Sequence, residues 1–528
     1  MNKILFLIFF YAFSIFAQYR NVQINNPESK NPNEVTIAIN PKDPAKMAAG
    51  ANINYIYSSS DSGKTWSESL LSSSLGVWGD PSVIYDLNGN LYFAHLSNPA
   101  TGHWVDRIVV QKSVDNGANW NDGAGIGFKP EPFVQDKEWL GVDYTNSPYK
   151  NSIYVAWTEF DNYGSYDQND SSRILFARST DGLSWSSPVR ISDHGGNSAD
   201  DGNTVEGAVP AIGPNGEVYI SWAGPLGIMF DKSTDGGQTF GSDIFVTSQP
   251  GGWDFNIPGI QRCNGMPITA CDISNSPYKG NIYINWSDQR NGEDNTDIFF
   301  IKSTDGGKTW GSVVKVNNDK TTRHQFFSWM DVDPITGYIY IVFYDRRNTS
   351  GTETEVYLAR SKDGGATFEN FRISENSFDP VATKFFGDYV DIAAYNGTVR
   401  PIWMAMNNKV MSVWTALIND PELVVGVEKR EVINNFELSQ NYPNPFNPTT
   451  TIQYTIPNKV KTMFTTSQQV QLKVYDMLGR EVATLVNGKK APGIHEVTFN
   501  ANNLPSGIYI YKITIGNYSD QKKMILLK

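Results

Sequence analysis

Cysteine is nearly absent: the 528 residues hold only Cys263 and Cys271. They stand eight positions apart, Cys271 falls in a predicted strand and Cys263 in the segment leading to it, so an extended path holds them too far apart for a disulfide. Two unpaired, partly buried thiols are expected. Histidine is also scarce, and the five present show no metal-ligand spacing. No metal site is expected, although acidic loops leave room for a structural calcium. Long apolar runs are missing beyond the first residues. MNKILFLIFFYAFSIFAQ has the form of a secretory signal peptide, with Lys3 as the charged start, Ile4 to Phe16 as the apolar stretch and Ala17 at the cleavage point. The expected signal peptide is 1–17, and the mature chain is expected to carry no transmembrane segment. Positive charge is in deficit as well. The net charge is −12, with +5 on residues 437–528 and −17 on the rest, which excludes phosphate-neutralising nucleic-acid binding as a partner class.

Helical periodicity is scarce, and short alternating runs between Gly-rich turns indicate an all-β protein. One turn recurs. STDGGKTW (303–310) ends like a phosphate loop, but the glycine that such a loop needs five residues earlier is Lys302, and a strand follows instead of a helix. Related stretches are SSDSGKTW (59–66), SVDNGANW (113–120), STDGLSW (179–185), STDGGQTF (233–240) and SKDGGATF (361–368), spaced 54 to 70 residues apart. That period marks a propeller or solenoid. In each copy the Asp can accept backbone N–H groups, Gly allows φ > 0, and the closing ring can fill the space between sheets. Seven inner-strand stretches can be read: EVTIAIN (34–40), PSVIYD (81–86), WLGVD (139–143), AVPAIG (208–213), MPITACD (266–272), WMDVD (329–333) and DYVDIAA (388–394). The seventh unit lacks a fourth strand, which NVQIN (21–25) can supply, closing the ring without a free edge.

The S-x-D-x-G-x-T-W pattern resembles the Asp-box (BNR) repeat of sialidase-like β-propellers over residues 18–418. The resemblance implies a β-propeller whose repeated turns lie at the periphery. The strand count favours seven blades, with six, the number in true sialidases, as the alternative. After a linker at 419–435, residues 436–528 read as a small Ig-like β-sandwich. YPNPFNPTT, VYDMLGREV, LPSGIYIYKI and KKMILLK closely resemble the C-terminal sorting domain of the type IX secretion system. That resemblance implies export to the outside or the cell surface, with the secretion machinery as a partner.

In a propeller, the loops into inner strands and those between second and third strands share one face. Acidic candidates for acid/base work there are Asp80, Glu138, Glu206 and Asp388, with Glu34, Glu159, Asp161, Asp288 and Asp345 nearby. Basic candidates are Lys137, Arg262, Arg290, Arg323, Arg346 and Arg347. Aromatic candidates for stacking are Trp78, Trp104, Trp139, Trp253 and Tyr389. Acids, arginines and rings together suit a glycan or polysaccharide. The sialidase resemblance would further require three arginines on a substrate carboxylate and an early Phe/Tyr-Arg-Ile-Pro motif. That motif is absent, and FRIS (371–374) sits on an outer strand. Asp288–Arg290 and Asp345–Arg347 recur at one place in successive blades, so each reads either as part of a clamp or as an internal loop brace. Three readings follow: a carbohydrate-directed propeller that binds or hydrolyses glycans, a true exo-sialidase, or a non-catalytic adhesion propeller. If it turns over, a glycoside hydrolase is expected.

Overall fold

The computed structural model describes residues 19–423, 436–456, 468–490, 493–516 and 518–528. The signal-peptide stretch 1–17 lies outside them. The chain forms two compact units that divide at Val425/Gly426.

The first unit is a seven-bladed β-propeller. Six antiparallel sheets each contain a run of four strands in consecutive order, such as Thr36–Ile39, Met47–Ala51, Tyr55–Ser59 and Ser67–Leu70. The seventh combines Asp391–Tyr395, Thr398–Asn407 and Val410–Asn419 with Arg20–Gln23 from the other end of the propeller, in register from Arg20 opposite Leu417 to Gln23 opposite Trp414. The Asn21 side chain reaches on to the Ile373 carbonyl of the sixth blade at 2.9 Å. The ring is thus closed by strand pairing between the two ends of the propeller chain. Second strands such as Ile153–Phe160 and Ile339–Asp345 are wholly buried, which explains their continuous apolar reading.

Neighbouring blades are joined near the channel by side chains that accept backbone N–H groups. Thr36 Oγ1 accepts from Val83, Ser82 Oγ from Leu140, and Asp391 Oδ2 from Ile37. At the periphery the repeated turn does this work. Asp305 Oδ1 accepts from Lys308 and Thr309 N–H, both at 3.0 Å, and Oδ2 accepts the Thr309 hydroxyl at 2.6 Å. Gly307, at φ +81°, lies flat on Phe230 of the preceding blade, and the Trp310 ring meets Phe230 edge-on at 5.2 Å. Gly237 on Phe176 and Gly365 on Phe300 repeat the contact, so the motif is architecture.

Three inner strands begin earlier than their sequence reading: Val134–Val142, Glu206–Ile212 and Gln325–Val332. Each carries a bulge that breaks the alternation. The propeller also runs past 418, since Asp420 pairs with Arg360 at 2.8 Å and Leu423 is buried in the core. Cys263 and Cys271 are both free and buried.

The second unit is a sandwich of a three-stranded sheet and a four-stranded sheet around Leu438, Phe446, Ile452, Leu472 and Tyr511. The Asn-Pro-Phe segment docks on the last strand. Ile525 N–H donates to Asn444 Oδ1 at 2.8 Å, and Phe446 N–H donates to the Ile525 carbonyl at 3.0 Å.

Candidate functional site

Six blades place a residue with left-handed backbone at the mouth of the inner strand: Glu34 (φ 50°), Asp80 (52°), Lys137 (53°), Gly207 (81°), Phe327 (47°) and Gly387 (94°). For a non-glycine residue this conformation costs about 1–3 kcal/mol and needs support from its surroundings. Three of the four non-glycine residues are charged, and they support one another. Lys137 Nζ sits 2.7 Å from Asp388 Oδ2, 3.2 Å from Asp80 Oδ2 and 3.5 Å from Glu34 Oε1. The ammonium therefore occupies the place a bound cation would take. Among the described residues no group of His, Cys, Asp or Glu side chains is arranged to hold a metal.

Arg262 extends the network. Its Nε donates to Asp388 Oδ1 at 3.0 Å, its Nη2 pairs with Asp388 Oδ2, and its Nη1 lies 3.1 Å from Asp200 Oδ2. Tyr163 OH donates to the same Asp200 oxygen at 2.5 Å. Asn52 bridges Glu34 and the Asp80 N–H. Burial alone would raise Asp388, but Lys137 and Arg262 outweigh it and hold the carboxyl well below the usual range. Burial would lower Lys137, but Asp388, Asp80 and Glu34 outweigh it and keep it charged. Asp136 goes the other way. Burial, followed by the neighbouring Asp80 charge, pushes it up to about 8, so it holds a proton at neutral pH.

Above this floor opens a pocket of about 460 Å³ over the first three blades. That volume suits a small ligand. Its polar lining includes Asn33, Glu34, Asp80, Asp136, Lys137 and Arg262. One wall is aromatic. Trp78 and Trp104 are 39% and 38% exposed and meet edge-on at 6.4 Å, and Trp104 meets Tyr163 edge-on at 6.1 Å. Below Lys137 and Asp80 lies a smaller cavity of about 40 Å³, lined by Glu138, Trp139, Trp329 and Tyr389. Glu138 and Glu206 are fully buried with no hydrogen-bond partner on either oxygen, and burial raises both well above the usual carboxylate range.

The structure gathers Asp80, Asp388, Glu34, Lys137, Arg262, Trp78 and Trp104 at one mouth. Glu138 and Tyr389 lie just beneath it, and Tyr389 is too buried to stack on a ligand. The remaining arginines are elsewhere employed. Arg290 forks onto Asp288, with Nε to Oδ1 at 2.9 Å, and Arg347 onto Asp345 at 2.6 Å, so both brace their own loops. Arg346 is fully buried over the Phe326 ring, and Arg323 donates to the Gly351 carbonyl at 2.7 Å. Glu159 and Asp161 are held by Arg173. Trp253 is 2% exposed, with its indole N–H on the Thr204 carbonyl, and offers no stacking face. Sequence reading missed Asn33, Asp136, Tyr163 and Asp200. The string DKEW at 136–139 held the signal for Asp136, but the bulge hid its strand position.

Residues 440–527 match the family described as the secretion system C-terminal sorting domain. The tail is a type IX sorting domain. No curated protein matches the chain at a significant level. Among solved structures, an α-L-arabinofuranosidase from Fusarium graminearum is similar at 14% identity, covering 77% of this chain and 99% of that one, with a TM-score of 0.43. Trypanosoma rangeli sialidase is similar at 13% identity, covering 87% and 85%, with a TM-score of 0.38. The endosialidase of phage phi92 is similar at 10% identity, covering 96% and 87%, with a TM-score of 0.44.

Proposed function

We propose that this is a type IX-exported, secreted or surface-held propeller that acts on carbohydrate. It binds a glycan end in the pocket over the first three blades and hydrolyses its glycosidic bond. One observation carries this reading: a wall of exposed indoles, Trp78 and Trp104, shares a pocket with a carboxyl floor formed by Asp136 and the Lys137-paired Asp80, and burial pushes Asp136 up to about 8. Indole faces suit the apolar side of a sugar ring, a protonated carboxyl can protonate a leaving oxygen, and a second carboxyl is the partner such chemistry requires. The sialidase alternative lacks its clamp. Only Arg262 among the candidate arginines lines the pocket, and it is committed to Asp388 and Asp200.

The test is sugar release by the mature full chain from neutral, amine-bearing, sialylated and uronic polysaccharides. Asp136→Asn should lower release at least about a hundredfold while ligand binding persists. Binding without release from any substrate would make this a lectin-like propeller, and neither would leave an adhesion scaffold.

A further inference from the structure

The four-stranded sheet of the sorting domain turns Val474, Tyr509, Tyr511 and Met524 into the core. Alternation puts the residues between them on the opposite face. There the register sets Ile508 opposite Ile525, Tyr475 opposite Ile510 with Lys523 beyond, and Lys473 opposite Lys512. The apolar rows lie at the end of the sheet where the turn Asp476–Gly479 closes, with the Gly479 N–H on the Asp476 carbonyl at 3.0 Å. That turn holds out Met477 and Leu478, 62% and 77% exposed. Leu526 pairs with Gly507 at the same end, and Leu527, just beyond it, is 52% exposed. A tip of large apolar side chains standing in water marks a surface made to be covered.

The charge behind the tip indicates what covers it. The acids at this end are held by their own neighbours, Asp476 by Arg480 at 2.7 Å and Glu481 by Lys473 at 2.8 Å. Lys512 and Lys523 are exposed, and neither has an acidic partner among the described residues. The face behind the apolar tip is therefore basic. Over the whole chain the same split holds, with +5 on residues 437–528 and −17 on the rest.

We propose that this end of the sorting domain docks on the surface of an anionic phospholipid bilayer, with Met477, Leu478 and Leu527 in the interfacial layer and Lys512 and Lys523 toward its phosphates. Apolar side chains enter the boundary between headgroups and acyl chains, and lysines close to the surface add electrostatic attraction. An anionic surface repels the acidic remainder of the chain and attracts the tail, so the charge split favours this contact. The contact is peripheral, since no helix among the described residues is long and apolar enough to cross a membrane. It is independent of what the propeller pocket binds.

The test is co-sedimentation of the chain from residue 18 onward, tail included, with vesicles rich in phosphatidylglycerol and with vesicles of phosphatidylcholine alone. The anionic vesicles should bind it at least about tenfold tighter, and this preference should shrink in high salt. Met477→Ser combined with Leu478→Ser should weaken binding to anionic vesicles at least about tenfold. Lys512→Gln combined with Lys523→Gln should remove most of the preference for them. Leu183→Ser, on an exposed repeated turn of the propeller, should bind as the parent does. All five side chains are exposed, so thermal midpoints should match the parent and separate lost docking from lost folding. Equal binding to both kinds of vesicle, or parent-like binding by the Met477–Leu478 variant, would overturn the proposal. Loss of binding on Leu183→Ser would overturn it by placing the contact on the propeller. Absence of binding to either vesicle would overturn it and assign the tip to a protein partner.

Discussion

Lys137 of the third blade lies 2.7 Å from Asp388 at the start of the seventh, so one ion pair spans the mouth of the channel. The ammonium is 9% exposed and the carboxylate 2%. In such surroundings, removing one partner leaves the others as uncompensated buried charge. Lys137→Ala should therefore destabilise the propeller by about 3–5 kcal/mol, read from the urea midpoint. An unchanged midpoint would mean that the channel mouth relaxes around its carboxylates.

Stability should also fall as pH rises. Burial pushes Asp331 up to about 7 and Asp391 up to about 8, and burial with the Asp80 charge takes Asp136 up to about 8. Glu34, Glu138 and Glu206 move the same way, chiefly through burial. An unfolded carboxyl titrates near about 4, so above that pH these carboxyls bind more protons in the folded protein than in the unfolded chain. The contribution is complete below about 4 and is lost as pH climbs through about 7 to 8. Asp388, held low by its cations, contributes the opposite slope only in strong acid. Urea midpoints should thus be higher in mildly acid buffer than in mildly alkaline buffer, and the reverse order would contradict the burial of these groups.

Much of this architecture can be read from the chain. The repeated Asp turn and the strands around it are local, and a local repeat survives folding unchanged, so the blade count and the strand borrowed from Arg20–Gln23 follow directly. The propeller topology then forces the inner-strand mouths together, which is why Asp80, Lys137 and Asp388 meet although 308 positions separate the first from the last. What sequence hides is set by irregular backbone. A bulge moves Asp136 by one register position, and long loops fold Asp200 and Tyr163 inward while tucking Trp253 out of reach. No periodicity encodes those paths.

The repeated turn should matter for stability and not for ligand. Gly307 sits at φ +81°, and a Cβ there would collide with the Phe230 ring. Gly307→Ala adds a left-handed alanine and an overpacked contact, together about 2–4 kcal/mol. The thermal midpoint should drop while the affinity of the folded fraction for any pocket ligand stays as in the parent. A changed affinity would mean that this turn communicates with the channel.

Arg290 and Arg262 separate bracing from binding. Arg290 is 21% exposed and grips Asp288, whose side chain is fully buried and also accepts from the Trp286 indole at 2.8 Å. Its loss strands that carboxylate, so Arg290→Met should cost about 2 kcal/mol or more in urea without altering ligand affinity. Arg262 lines the pocket and is 37% exposed, so solvent screens part of its attraction to Asp388 and Asp200. Arg262→Met should cost less stability than Lys137→Ala yet change ligand affinity, because it removes a pocket cation and frees the Asp200 oxygen it shares with Tyr163. If an amine is the ligand, that affinity rises; if a carboxylate is the ligand, it falls. Measuring both variants against one ligand series thus reads the sign of the pocket's charge demand directly.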